Sequence, residues 1–166
     1  MAKIDFNGID EYAKRLGILF KDSERIVKNA VYEGASIVAD EIKSGLNGIP
    51  TQEGPNGLPP IGTPEDPLTG VSRRQKADLI EGFGLAPMEN KDGYINTKAG
   101  VDGYGSIRTA KYPNGTPNAM LMRSVESGTS FRKKHPVFRP AVNRSRKRAQ
   151  EAMGNKIDEE LKNIFG

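Results

Sequence analysis

The chain of 166 residues has no cysteine, no tryptophan and a single histidine, His135. Without thiols it can build neither a disulfide framework nor a thiolate metal site, so its stability must come from packing or from association. One imidazole, set in the turn Lys133-Lys134-His135-Pro136, supplies no organised base for a serine or threonine nucleophile. His135 therefore reads as a turn or interface residue. The carboxylates lack metal-loop spacing, and adjacent pairs such as Asp40-Glu41 and Glu159-Glu160 point apart on a helix. Neither Gly82-Phe83-Gly84 nor Gly103-Tyr104-Gly105 completes a phosphate-binding Gly-x-Gly-x-x-Gly pattern. These absences argue against an enzyme, and no cofactor or metal is expected. No apolar run approaches the roughly 20 residues of a membrane span, and the start Met1-Ala2-Lys3-Ile4-Asp5-Phe6 has no apolar signal core. The expectation is a soluble chain made in a cytoplasm, with no membrane partner.

The length suits a single domain, 1–166, with one core. A hydrophobic content of 36% and a mean hydropathy of −0.59 are on the polar side, which predicts a sizeable loop. The net charge of +4 is modest, but it is segregated. Between Arg132 and Arg148 every formal charge is positive, whereas acidic residues cluster in the N-terminal helices and near the C-terminus.

Apolar residues at Ile9, Tyr12, Ala13, Leu16, Leu19 and Phe20 follow helical spacing. Asp22 or Ser23 then offers a cap for a second helix carrying Ile26, Val27, Ala30, Val31, Ala35, Val38 and Ile42, stopped at Ser44-Gly45. Gly34, Ala35 and Ala39 thin that helix and admit a close neighbour, either within the domain or from another subunit. Residues 45–70 are crowded with glycine and proline, which predicts a long loop, extended or mobile. A short helix is expected over 72–83, and two strands over 85–88 and 93–101 about an Asp92-Gly93 turn. A helix over 118–127 is stopped by Gly128. The last helix runs over 139–165, with a stripe at Ala149, Met153, Ile157, Leu161 and Phe165. The fold class is α+β: two N-terminal helices and a long C-terminal helix packed on a small antiparallel sheet.

The stretch 126–141, Glu-Ser-Gly-Thr-Ser-Phe-Arg-Lys-Lys-His-Pro-Val-Phe-Arg-Pro-Ala, concentrates the unusual features. Gly128, Pro136 and Pro140 shape the backbone: a helix stop, then prolines bracketing Phe138 where a helix begins and needs no N–H. Glu126, Arg132, Lys133 and Phe138 are the candidate subunit or partner contacts. The plainer reading is that all of them join two helices and plug the core. The basic run beyond offers Arg144, Arg146 and Arg148 as candidate DNA-facing residues, although it lacks interleaved aromatics and any nucleic-acid-binding signature. A solvated or subunit-facing basic face is the competing reading.

The order of these features resembles the tail-completion, or head-tail joining, proteins of long-tailed bacterial viruses. The resemblance rests on Phe6, Gly8 and Tyr12 at the start, Glu33-Gly34-Ala35-Ser36-Ile37-Val38-Ala39-Asp40, then Val125-Glu126-Ser127-Gly128-Thr129-Ser130, and Pro136-Val137-Phe138-Arg139-Pro140-Ala141 before a long final helix. The chain departs from the family pattern at Val137, which separates Pro136 from Phe138, and at Arg73-Arg74-Gln75-Lys76-Ala77-Asp78-Leu79, where Arg-Thr-Gly-x-Leu is common. The resemblance implies a non-enzymatic virion protein of the tail or neck, made in the host cytoplasm. It implies a homo-oligomeric ring, a hexamer, at the head-proximal end of the tail, with the tail tube protein and the head connector or adaptor as partners. Ring closure uses heterologous contacts, which segregated charge would suit. The alternative is a nucleic-acid-binding module using 132–148; a third reading turns the same basic face toward DNA in a ring lumen, for transient contact.

Overall fold

The computed structural model describes residues 7–166, with side chains from residue 11 onward. Phe6 of the N-terminal motif lies outside the described residues.

Two long antiparallel helices organise the chain. Helix α1 (Asn7–Asn47) runs for 41 residues, about 60 Å at 1.5 Å per residue. Helix α4 (Phe138–Phe165) runs back beside it. The pairing can be followed along its length: Tyr12 meets Phe165 with ring centroids 6.2 Å apart, Arg25 bonds Glu160 at 3.1 Å, and Glu41 accepts from Arg144 at 2.8 Å.

The expected break between two N-terminal helices is absent; α1 is continuous. Asp22 and Ser23 look like a cap in sequence, but no glycine or proline enforces a stop there. Ser23 instead donates its hydroxyl back to the Phe20 carbonyl at 3.0 Å, and Asp22 pairs with Arg25. Contact with α4 on both sides of the point carries the helix through. Gly45 likewise does not end the helix. A Cβ there would lie 2.8 Å from Val137 Cγ1, so the glycine makes room for the chain entering α4.

From Gly48 the chain enters the Gly/Pro-rich segment, three residues later than the sequence suggests. It contains a short 3-10 turn, Pro55–Gly57, and is stitched to the body at both ends. Gln52 donates its N–H to the Val71 carbonyl at 2.8 Å, and Val71 donates to Pro50 at 3.0 Å. Leu68 is buried, donates to the Phe131 carbonyl at 2.9 Å and accepts from Lys133 at 2.8 Å.

Helix α2 (Arg73–Glu81) begins at a capping box. Gln75 N–H donates to Ser72 Oγ at 3.2 Å, and Ser72 N–H donates to Gln75 Oε1 at 3.0 Å. It ends before Phe83, which belongs to a strand. Of the two expected strands, 93–101 is divided in two, whereas 85–88 is strand only at Leu85, and the expected turn at 89–93 itself opens with a strand. Strand β1 (Phe83–Leu85) pairs with β4 (Ala99–Val101), and β2 (Glu89–Lys91) pairs with β3 (Tyr94–Asn96), both antiparallel. Asp92 and Gly93 turn the inner hairpin with φ of 53° and 85°, the positive pair a tight two-residue turn demands. The outer and inner ladders are interrupted at 86–88, where Thr97 donates its hydroxyl to the Ala86 carbonyl at 2.6 Å.

Helix α3 (Asn118–Ser127) completes the α+β architecture. Leu121, Met122 and Val125 from α3 join Ile42 and Leu46 from α1, Leu79 from α2, Phe83 from β1, and Val137 and Ala141 at the start of α4. The core thus lies against the C-terminal half of α1, beneath the join between α3 and α4.

Candidate functional site

That join is built around a carboxylate. Val137 precedes α4 and has no side-chain acceptor for the orphan N–H groups of the first turn. Glu126, one residue from the end of α3, provides one from a distance. Its Oε2 accepts the N–H of Val137 at 2.6 Å and of Phe138 at 3.0 Å, and its Oε1 accepts the N–H of Arg139 at 3.1 Å. Pro140 follows and has no N–H to satisfy, so the first turn of α4 is fully engaged. A negative charge here also complements the positive end of the helix dipole.

The turn between the helices holds Glu126 in place. Gly128 takes φ 74°, and a Cβ would stand 3.0 Å from Lys134 N, so conformation and space both require glycine. Thr129 and Arg132 exchange backbone hydrogen bonds at 2.9 and 3.3 Å, and His135 donates its N–H to the Val125 carbonyl at 2.7 Å. Pro136 is exposed and Pro140 half-buried. Phe138 is half-buried and stacks edge-on against Phe83, ring centroids 6.1 Å apart.

Arg132 is only 9% exposed and donates from Nη1 to the Gly70 carbonyl, clamping the end of the Gly/Pro-rich segment to the turn. Among the described residues it forms no ion pair, and burial pushes its guanidinium pKa down from the ordinary range. Lys133 points to solvent. Of the four candidate contact residues, Glu126, Arg132 and Phe138 thus have internal employment, and Lys133 is exposed.

The three arginines singled out as DNA-facing separate in the same way. All three are exposed, but Arg144 and Arg148 converge on Glu41 of α1, at 2.8 and 2.9 Å, while Arg146 forms no ion pair among the described residues. The Arg144 guanidinium first and that of Arg148 second hold the Glu41 carboxyl below its usual range. Spacing of four residues places both arginines on one face of α4. Their acidic partner lies about 100 residues earlier, which is why the run reads as unopposed in sequence.

Sequence reasoning missed a groove of about 610 Å³ beside the join. Arg123 and Met120 of α3 form one side, Lys111 and Tyr112 another, and Phe131 of the turn closes it. Lys111 Nζ sits 5.5 Å from the centre of the Tyr112 ring, and among the described residues no carboxylate lines the groove. Its residues come from three separate stretches, and only the exposed aromatic Phe131 beside Arg132 and Lys133 signals it in the sequence.

No family model, characterised protein or solved structure matches this chain.

Proposed function

We propose that this protein is a non-enzymatic structural component of a long-tailed bacterial virus, completing the tail and joining it to the head. The observation that supports this reading is the Glu126 cap. The two motifs that carry the resemblance are bonded to each other, with Glu126 of the first closing, at Val137, Phe138 and Arg139, the helix that the second begins. Such a unit supplies a rigid corner from which a subunit can present α4 and its neighbouring loops. In this reading the chain forms a ring, a hexamer, at the head-proximal end of the tail, contacts the tail tube protein and the head connector, and resides in the virion after assembly in the host cytoplasm. Exposed Lys133 and Arg146, which form no ion pair among the described residues, are available for those contacts.

The experiment is to mix purified protein with cognate tail tubes and image them by electron microscopy. Rings at one end of the tubes are expected, together with loss of head-tail joining in a deletion strain. Bare tube ends, or normal virions without the gene, overturn the reading.

The alternative, nucleic-acid binding through 132–148, has less free charge than the sequence suggests, because Glu41 opposes Arg144 and Arg148. It requires DNA affinity that falls steeply with salt and weakens on Arg146→Ala; a flat titration at low salt removes it.

A further inference from the structure

One exposed loop of this chain has the chemistry that the groove beside α3 lacks. The groove presents Lys111 and Arg123, neither in an ion pair among the described residues, around the apolar surfaces of Met120, Tyr112 and Phe131, which is 50% exposed. Loop 61–67, Ile-Gly-Thr-Pro-Glu-Asp-Pro, presents Ile61 at 90% exposure and, in the same loop, exposed Glu65 and Asp66, and these carboxylates are likewise unpaired among the described residues.

The loop is preshaped. Thr63 donates its N–H to the Asp66 carbonyl at 3.1 Å, Asp66 returns its N–H to Thr63 Oγ1 at 3.0 Å, and Pro64 and Pro67 restrict the backbone further. A turn already held in one shape loses less freedom when it docks. In this chain the loop is not seated in its own groove, although Gly62 packs against the Phe131 backbone. None of 61–67 lines that groove, and Leu68 is bonded to Phe131 on one side and Lys133 on the other, fixing the base of the loop.

We propose that loop 61–67 of one copy docks in the groove of a second copy, with Ile61 on the Phe131–Met120 surface and Glu65 and Asp66 facing Lys111 and Arg123. The contact joins two different patches of the same chain, and opposite charges set its register. It goes beyond the assembly role proposed above, because it is a property of the purified chain without tail or head.

Charge reversal tests it on the full-length protein by sedimentation. The variants E65K/D66K and K111E/R123E each place like charges in the contact, and each is expected to weaken self-association at least about tenfold relative to wild type, the loss expected from roughly 1.4 kcal/mol. Mixed together, the two variants present opposite charges in both directions, so association returns in the mixture, and it falls as salt is raised. Circular dichroism matching wild type establishes that each variant is folded; surface positions make this the expected outcome. Wild type that stays monomeric at millimolar concentration, variants that associate as wild type does, or a mixture that fails to recover, each overturns the proposal. Failure of rings to form on tail tubes would bear on the assembly role and leave this self-association result intact.

Discussion

The carboxylate of Glu126 accepts the backbone N–H of Val137 at 2.6 Å, so the end of α3 caps the beginning of α4. Eleven residues separate the two in sequence, and the intervening turn folds back so that one side chain serves two helices. Because the same carboxylate also receives Phe138 and Arg139, the two helices cannot part without leaving three N–H groups to find new partners.

Glu126→Ala should therefore destabilise the fold by about 1–3 kcal/mol, the range for losing a cap and hydrogen bonds to a charged group. Urea unfolding of the variant measures it. Glu126→Gln keeps one acceptor oxygen and should fall between the variant and wild type. An unchanged midpoint for Glu126→Ala would show that solvent replaces the cap at no cost.

Gly45 and Val137 are in close contact for a reason that a paired substitution exposes. Gly45→Ala should cost about 1–3 kcal/mol, since the new methyl meets a fully buried, β-branched side chain with one dominant rotamer. Val137→Ala opens a cavity and is also destabilising. The double variant should be more stable than the sum of the two losses predicts, because the methyl partly fills the space vacated. Additive losses in denaturant titrations would show that the contact relaxes elsewhere.

At Arg132 charge and volume are expected to act in opposite directions. Arg132→Ala removes both the clamp on Gly70 and the packing of the aliphatic stem, and should speed proteolysis within the Gly/Pro-rich segment. Arg132→Met retains most of the volume without burying a charge that has no ion-pair partner among the described residues, and should be close to wild type in stability. Limited proteolysis followed by mass spectrometry locates the cut. Equal protection in Arg132→Ala and wild type would assign the segment's order to other bonds.

Acid should loosen α1 from α4. Glu160 is held below the usual carboxylate range, first by the Asn29 amide and then by the Arg25 guanidinium, and Glu41 by Arg144 and Arg148. A folded-state pKa below the unfolded one gives stabilisation that is present above the usual glutamate range and is lost as pH falls through the lowered value. The melting temperature should therefore drop across that acidic window. A variant carrying Glu41→Gln and Glu160→Gln should begin lower at neutral pH and show a shallower acid slope. Parallel curves for variant and wild type would place the acid sensitivity in other carboxylates.

Much of the chain's local structure is legible from its residues. Helical spacing marks both long helices and α3, Asp92-Gly93 marks the hairpin, and Gly128 marks the end of α3. Ser72 and Gln75 lie at capping-box spacing, although their bonding is visible only in the fold. Ser23 and Gly45 mislead because capping and stopping are local options that a long neighbouring helix can override. The capping role of Glu126 is not legible in the sequence, because the N–H groups it accepts belong to the backbone, which has no residue-type signature.

Periodicity, turn chemistry and the separation of charge along the chain follow directly from the order of residues, since these depend on residues within a few positions of one another. That α1 is one helix, that Glu41 opposes the basic run of α4, and that Lys111, Arg123 and Phe131 share a groove are outcomes of the folded packing. Those outcomes depend on contacts between residues far apart in the chain, where packing of α1 on α4 and return of the turn onto α3 set distances that no local preference specifies.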